Sequence, residues 1–116
     1  MKILFIDDRE NEIRRLVEVS EIRPTHTVEI LVFKNLEQCL SAVTALQPNL
    51  IFIGHGLSAY PITGSEVVRH LRCAGVQAKF IANSGGGRHG FDHDGVSIDE
   101  SSDRNPTKIK DICEKF

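Results

Sequence analysis

The strongest constraint on the fold is an alternation of two patterns along the chain. Short apolar runs, Ile3–Ile6, Val28–Phe33, Leu50–Ile53, Lys79–Ala82 and Val96–Ile98, read as five strands. Between them apolar residues recur every three to four positions, as on one face of a helix. Ile13, Leu16, Val17 and Ser20 line one side of a helix over residues 10–21, with Arg14, Arg15 and Glu18 turned outward. Glu10 and Arg14 are spaced to pair across one turn, and Pro24 closes the segment. Asn35 with Gln38 three residues on makes a capping-box start for a helix carrying Leu36, Cys39, Leu40, Val43 and Leu46, ended by Pro48. A loop with Pro61 and Gly64 leads to a helix with Val67, Val68 and Leu71 inward, stopped by Gly75. The last helix starts at Pro106, a favoured first-turn residue, and turns Ile109, Ile112 and Cys113 inward. Alternating strands and helices of this kind imply an α/β domain with a parallel sheet covered on both faces.

One stretch breaks the rhythm. Residues 84–95 hold five glycines in twelve positions, and each costs a helix about 1 kcal/mol against Ala. A full helix between strands four and five is therefore not expected; that element is short or missing.

At 116 residues the chain, residues 1–116, is expected to form one domain with a single core. The net charge of −2 and the lack of any Lys/Arg run argue against a nucleic-acid binder. No apolar run approaches the roughly 20 residues that cross a bilayer, and the first strand starts at once, so a cytoplasmic protein without membrane partners is expected. Cys39, Cys73 and Cys113 are odd in number and unpaired by motif, which fits reduced thiols in that compartment.

Right-handed crossovers put all strand C-termini on one rim, where α/β sheets gather their chemistry. That rim carries Asp7 and Asp8, Gly54 and His55, Asn83 and Ser84, and residues 99–105. Two adjacent carboxylates at a strand end usually need a third acid to hold a metal. The place for it holds Gly54, so Asp7 and Asp8 alone are expected to bind Mg²⁺ weakly if at all. Unscreened, the two acids repel, which raises one pKa; Arg88 or Arg104 is in reach as a replacement cation. Alternatively Asp8 simply caps the first helix.

These residues resemble the receiver domain of two-component response regulators. Residues 3–8 look like the family's first strand with its acidic pair, residues 48–53 like its third strand, and Gly64–Arg72 like the glycine and helix that follow. Ser84 falls where the family has a Ser or Thr switch residue, and Asn105-Pro106 where it has Lys-Pro. The resemblance implies a flavodoxin-like, five-stranded parallel sheet of order 2-1-3-4-5 with helices on both faces. It also implies phosphoryl transfer from a histidine kinase to an Asp at the end of strand three, with Mg²⁺ on that Asp and the acidic pair. Asp7, Asp8 and Ser84 match this scheme. Gly54 stands in the phosphoacceptor position and Asn105 in the Lys position, so the chain is similar to a degenerate, or pseudo-, receiver.

Other constellations are weaker. His89, Asp92, His93 and Asp94, with His55, are potential metal ligands but lack the usual spacing, and a solvated loop is expected. His55 reads as an exposed rim histidine rather than a base or phosphoacceptor. Gly85, Gly87 and Gly90 satisfy G-x-G-x-x-G without the following helix that motif needs. As a turn, Gly85, Gly86, Gly87 and Arg88 beside Ser84 offer an anion-binding nest.

The expected function is signal transduction by protein–protein interaction without Asp phosphorylation, with no enzymatic activity and no cofactor. The partner is expected to be a histidine kinase, a regulatory protein or a second copy. One alternative is a small-anion, nucleotide or phosphate-ester site on the rim, built from Asp7, Asp8, Ser84, the glycine loop and Arg88. Another is an ordinary receiver in which Gly54 is a site variant.

Overall fold

The computed structural model describes residues 1–59 and 61–116. In chain order the elements are β1 (Lys2–Asp7), α1 (Glu10–Val19), β2 (Thr27–Val32), α2 (Leu36–Leu46), β3 (Leu50–Ile53), α3 (Gly64–Cys73), β4 (Lys79–Ala82), α4 (His89–His93), β5 (Glu100–Ser101) and α5 (Pro106–Lys115). All neighbouring strands are parallel, in the order β2-β1-β3-β4-β5. This is the flavodoxin-like arrangement that the resemblance implied.

The period-two geometry of the strands divides the core into two layers. Leu4, Ile6, Ile51, Ile53, Phe80 and Ala82 face α2, α3 and α4, where Val43, Val67, Leu71 and Phe91 are fully buried. Ile3, Phe5, Leu50, Phe52 and Ile81 face the other way, against Ile13 of α1 and Ile109, Ile112 and Cys113 of α5. Phe5 and Phe52 lie opposite each other in register and stack with ring centroids 4.5 Å apart. Burying four phenylalanines, Phe5, Phe52, Phe80 and Phe91, contributes several kcal/mol at about 25 cal/mol per Å² of apolar surface.

Local chemistry sets the ends of the elements. Asn35 Oδ1 accepts from the Gln38 amide at 2.8 Å and caps α2 as the sequence indicates. Gly75, at φ +84°, ends α3. Helix α1 stops at Val19 rather than Glu21, because Ser20 Oγ donates back to the Leu16 carbonyl at 2.6 Å and Glu21 turns left-handed at φ +51°.

Strand five lies further along the chain than Val96–Ile98. The five-residue α4 ends on Gly95 at φ +74°, with the Val96 amide donating to the Phe91 carbonyl at 2.9 Å. Val96 and Ile98 are therefore apolar because they fill the core beneath α4, while Glu100 and Ser101 pair with Ile81 and Ala82. The segment between β4 and β5 is thus a turn plus a short helix, not an uninterrupted loop.

Candidate functional site

The C-terminal rim is organised around Asp7. Its side chain is 2% exposed, and Oδ1 accepts from the backbone amides of Asp8 at 2.8 Å and Arg9 at 3.0 Å. Asp7, rather than Asp8, therefore meets the amides entering α1; the N-cap position is Arg9, whose side chain makes no capping bond. Asp8 instead accepts from Ser58 Oγ, in the loop after β3. Partial burial raises the Asp8 carboxyl, but the hydrogen bond from Ser58 and those within the acidic pair outweigh it, with Arg9 adding Coulombic help. The net effect holds Asp8 below the usual carboxylate range, the reverse of the rise expected for two unscreened acids.

The missing screening charge is present. Arg104 Nη1 lies 2.8 Å from Asp7 Oδ2, and Nη2 lies 3.8 Å from Glu12 Oε2. The Arg104 side chain is only 19% exposed, so the pair sits in a largely desolvated rim. Its placement is a backbone effect. Pro106 keeps Asn105 out of the helical region, at φ −101° and ψ 119°, so the reversal from β5 into α5 falls on the two residues before it. Asp103 and Arg104 are both left-handed, at φ +52° and +56°, which swings Arg104 back over the sheet. Asp tolerates this region; Arg does not, at a cost of roughly 1–2 kcal/mol. The loop is fixed from below by Asn83, 1% exposed, whose Oδ1 accepts from Ser102 Oγ at 2.8 Å and from the Arg104 amide at 3.1 Å. Asp103 is held by Ser101 Oγ at 2.6 Å and by Lys108. Those two contacts, the Lys108 bond first, keep its carboxyl below the usual range.

Gly54 ends β3 beside this pair. Its amide donates to the Ile6 carbonyl at 3.3 Å, and the Asn83 amide donates to the Ile53 carbonyl at 2.9 Å. Asn83 therefore stands beside Gly54 in register, and Ser84, the expected switch residue, is one step beyond. The three atoms nearest to a Cβ on Gly54 would all be oxygens at van der Waals distance: Asp7 Oδ2 at 3.6 Å, Gly56 O at 3.7 Å and Asn83 O at 3.8 Å. The glycine is not sterically required. Asn105, in the expected Lys position, faces away and caps α5, its Oδ1 accepting from the Lys108 amide at 3.1 Å.

The components of the anion site do not converge. Ser84 Oγ donates to the Gly87 carbonyl at 2.8 Å, closing its own turn. Arg88 reaches towards Glu100 at 4.0 Å, away from the acidic pair. Gly85 and Gly86 are exposed, Gly87 turns at φ +62°, and Gly90 opens the short α4. Gly90 is glycine because the His55 ring lies against it: an added Cβ would sit 2.7 Å from the ring.

His55 is half-buried rather than exposed. Its Nε2 lies 2.7 Å from Asp94 Oδ2, and its ring meets Phe91 edge-on at 5.2 Å. The hydrogen bond from His55 holds the Asp94 carboxyl far below the usual range. The nearby Ser65 hydroxyl and His93 add to this, although Ser65 Oγ is buried without a well-formed hydrogen bond. Among the described residues no group of three or more His, Cys, Asp or Glu side chains is set to hold a metal. The His55–Asp94 contact joins the β3–α3 loop to the end of α4, while His89, Asp92 and His93 are exposed.

The chain aligns over 98% of its length with 93% of the signal receiver domain of the response regulator NarL from Mycobacterium tuberculosis, at TM-score 0.65 and 11% identity. The fold is that of a receiver domain. No protein-family model matches the sequence. No curated protein matches it in sequence. Among the described residues no helix is long and apolar enough to cross a membrane.

The resemblance drawn from the sequence implies a Mg²⁺ ion on the acidic rim, and the donor set here does not fit one. Mg²⁺ demands octahedral oxygen ligation, normally with carboxylates free to turn towards it. In this receiver fold Asp7 is committed to two amides and a guanidinium, Asp8 is held by Ser58, and the third position is Gly54. Ser58, Asn83 and Arg104 complete the site. Only Asn83 and Arg104 lie in the rim segments that the strand pattern marks; Ser58 is a lone hydroxyl in a loop, with no pattern to single it out.

Proposed function

We propose that this chain is a pseudo-receiver: a receiver fold that acts in signal transduction through protein–protein contact, takes no phosphoryl group on its rim and catalyses no reaction. Gly54 carries this reading. Aspartyl phosphorylation needs a carboxylate oxygen as nucleophile at the end of β3, and glycine has none. Neither neighbouring acid is free to take its place, since Asp7 is buried and triply hydrogen-bonded and Asp8 is turned to Ser58. The partner is a signalling protein such as a histidine kinase, a regulatory protein or a second copy, met in the cytoplasm without a cofactor. The test is intact-mass spectrometry after incubation with acetyl phosphate and MgCl₂. The expected spectrum shows the unmodified mass alone; a stable phosphoryl adduct on the folded protein overturns the reading.

A further inference from the structure

The mismatch between this rim and a divalent ion has a specific cause, and it holds whether or not the fold serves in signalling. We infer that Arg104 is a tethered cation: its guanidinium takes the seat of a metal on Asp7, keeps divalent ions out and holds the β5–α5 loop in one conformation.

Three independent observations converge on this assignment. The first is the space beside Gly54, bounded by Asp7 Oδ2, Gly56 O and Asn83 O at 3.6–3.8 Å from where a Cβ would stand. Three oxygens so placed, one from a buried carboxylate, attract a cation. The second is the guanidinium itself, 2.8 Å from that same Asp7 oxygen and 3.8 Å from Glu12. Glu12 is shared with Arg9 at 2.9 Å, so the acids Asp7, Asp8 and Glu12 face two arginines and their net charge falls from three negative units to one. The third is the backbone. Two successive non-glycine residues adopt left-handed conformations to deliver Arg104, and buried Asn83 is spent on holding them there. An arginine free to wander in solvent would not need this support.

A metal can leave; a side chain cannot. The Arg104–Asp7 pair therefore removes a ligand-dependent state from the molecule, and the surface formed by the β5–α5 loop is permanently set. Asn83 and Ser102 are positioning residues for this contact.

The test compares wild type with Arg104→Ala and Arg104→Lys, recording the thermal midpoint in MgCl₂ against NaCl of equal ionic strength. Mn²⁺ binding is read in parallel by paramagnetic broadening. Wild type is expected to show no Mg²⁺-specific shift. Arg104→Ala melts lower without metal, gains stability from MgCl₂ and binds Mn²⁺ at least about tenfold more tightly than wild type, because a unit positive charge has left a largely desolvated site. Arg104→Lys keeps the charge and stays indifferent to Mg²⁺. A Mg²⁺-specific shift in wild type, or Mn²⁺ broadening at Asp7 in wild type as strong as in Arg104→Ala, overturns the inference. Arg104→Ala folding normally without acquiring any divalent response also overturns it. Should Arg104→Ala not fold, Arg104→Gln, neutral and closer in volume, is read the same way.

Discussion

Two glycines beside the acidic rim are under opposite constraints. A Cβ on Gly64 would stand 2.1 Å from the Gly54 carbonyl oxygen, a backbone atom that cannot yield. A Cβ on Gly54 meets nothing closer than 3.6 Å. Gly64→Ala is therefore expected to destabilise by about 3 kcal/mol or more, while Gly54→Ala stays within about 0.5 kcal/mol of wild type. Urea unfolding of the two variants checks this, and equal losses would contradict the close approach of α3 to β3. The same contrast shows what single residues disclose. Asp7, Asp8 and Gly54 were legible as a rim because strand ends mark themselves by the switch from apolar to polar. That Arg104, rather than Arg88, supplies the cation was not legible: it depends on the sign of φ at Asp103 and Arg104, which no composition or spacing encodes. Asn83 was legible as a rim residue but its role was not, since a one-residue step in register decides whether it or Ser84 stands beside Gly54.

At the scale of elements, periodicity and caps were the readable part. The runs Ile3–Ile6, Leu50–Ile53 and Lys79–Ala82 stand as strands in their expected places because fully buried parallel strands have no other use for consecutive apolar residues. Strand five failed for a physical reason. Val96 and Ile98 alternate like a strand, yet they are apolar to fill the layer under α4, and the two residues that do pair, Glu100 and Ser101, are polar edge residues with no hydrophobic signature. Five glycines keep the segment between β4 and β5 from forming a full helix. What it does form, five residues of α4, is held by tertiary contacts: Phe91 fully buried, His55 stacked against Gly90 and bonded to Asp94, and Arg69 donating to the Asp94 carbonyl. Propensity scales cannot see a helix stabilised from outside. Asn105 shows how a familiar position changes duty. Asn105, the residue before Pro106, serves as the N-cap of α5, and the cation on Asp7 comes from its neighbour Arg104.

Over the whole molecule, the titrating groups define a stability plateau. Asp8, Asp94, Asp103 and Glu100 are all held below their ordinary values, so their contribution is present above the unfolded carboxylate range and is lost as pH falls through the folded values. Cys39 and Cys113 go the other way: burial pushes both thiols up to about 11, from an ordinary 9.0. The neutral thiols are favoured in the fold, so their contribution is complete below the unfolded pKa and is lost as pH rises from about 9 to about 11. The thermal midpoint is expected to be flat between these limits and to fall on both sides, and replacing both cysteines with alanine flattens the alkaline limb. A midpoint that climbs above pH 9 would contradict the buried neutral thiols.

The molecule that emerges is a receiver fold whose acidic rim carries a cation from one of its own side chains, Arg104. The most direct test is the ¹H–¹⁵N correlation spectrum recorded as MgCl₂ and beryllofluoride, a mimic of the phosphoryl group, are added to wild type. The account predicts that the amides of residues 54–56, 83–84 and 102–105 stay where they are. Concerted, saturable shifts at those amides would show an open, ligand-responsive rim and contradict it.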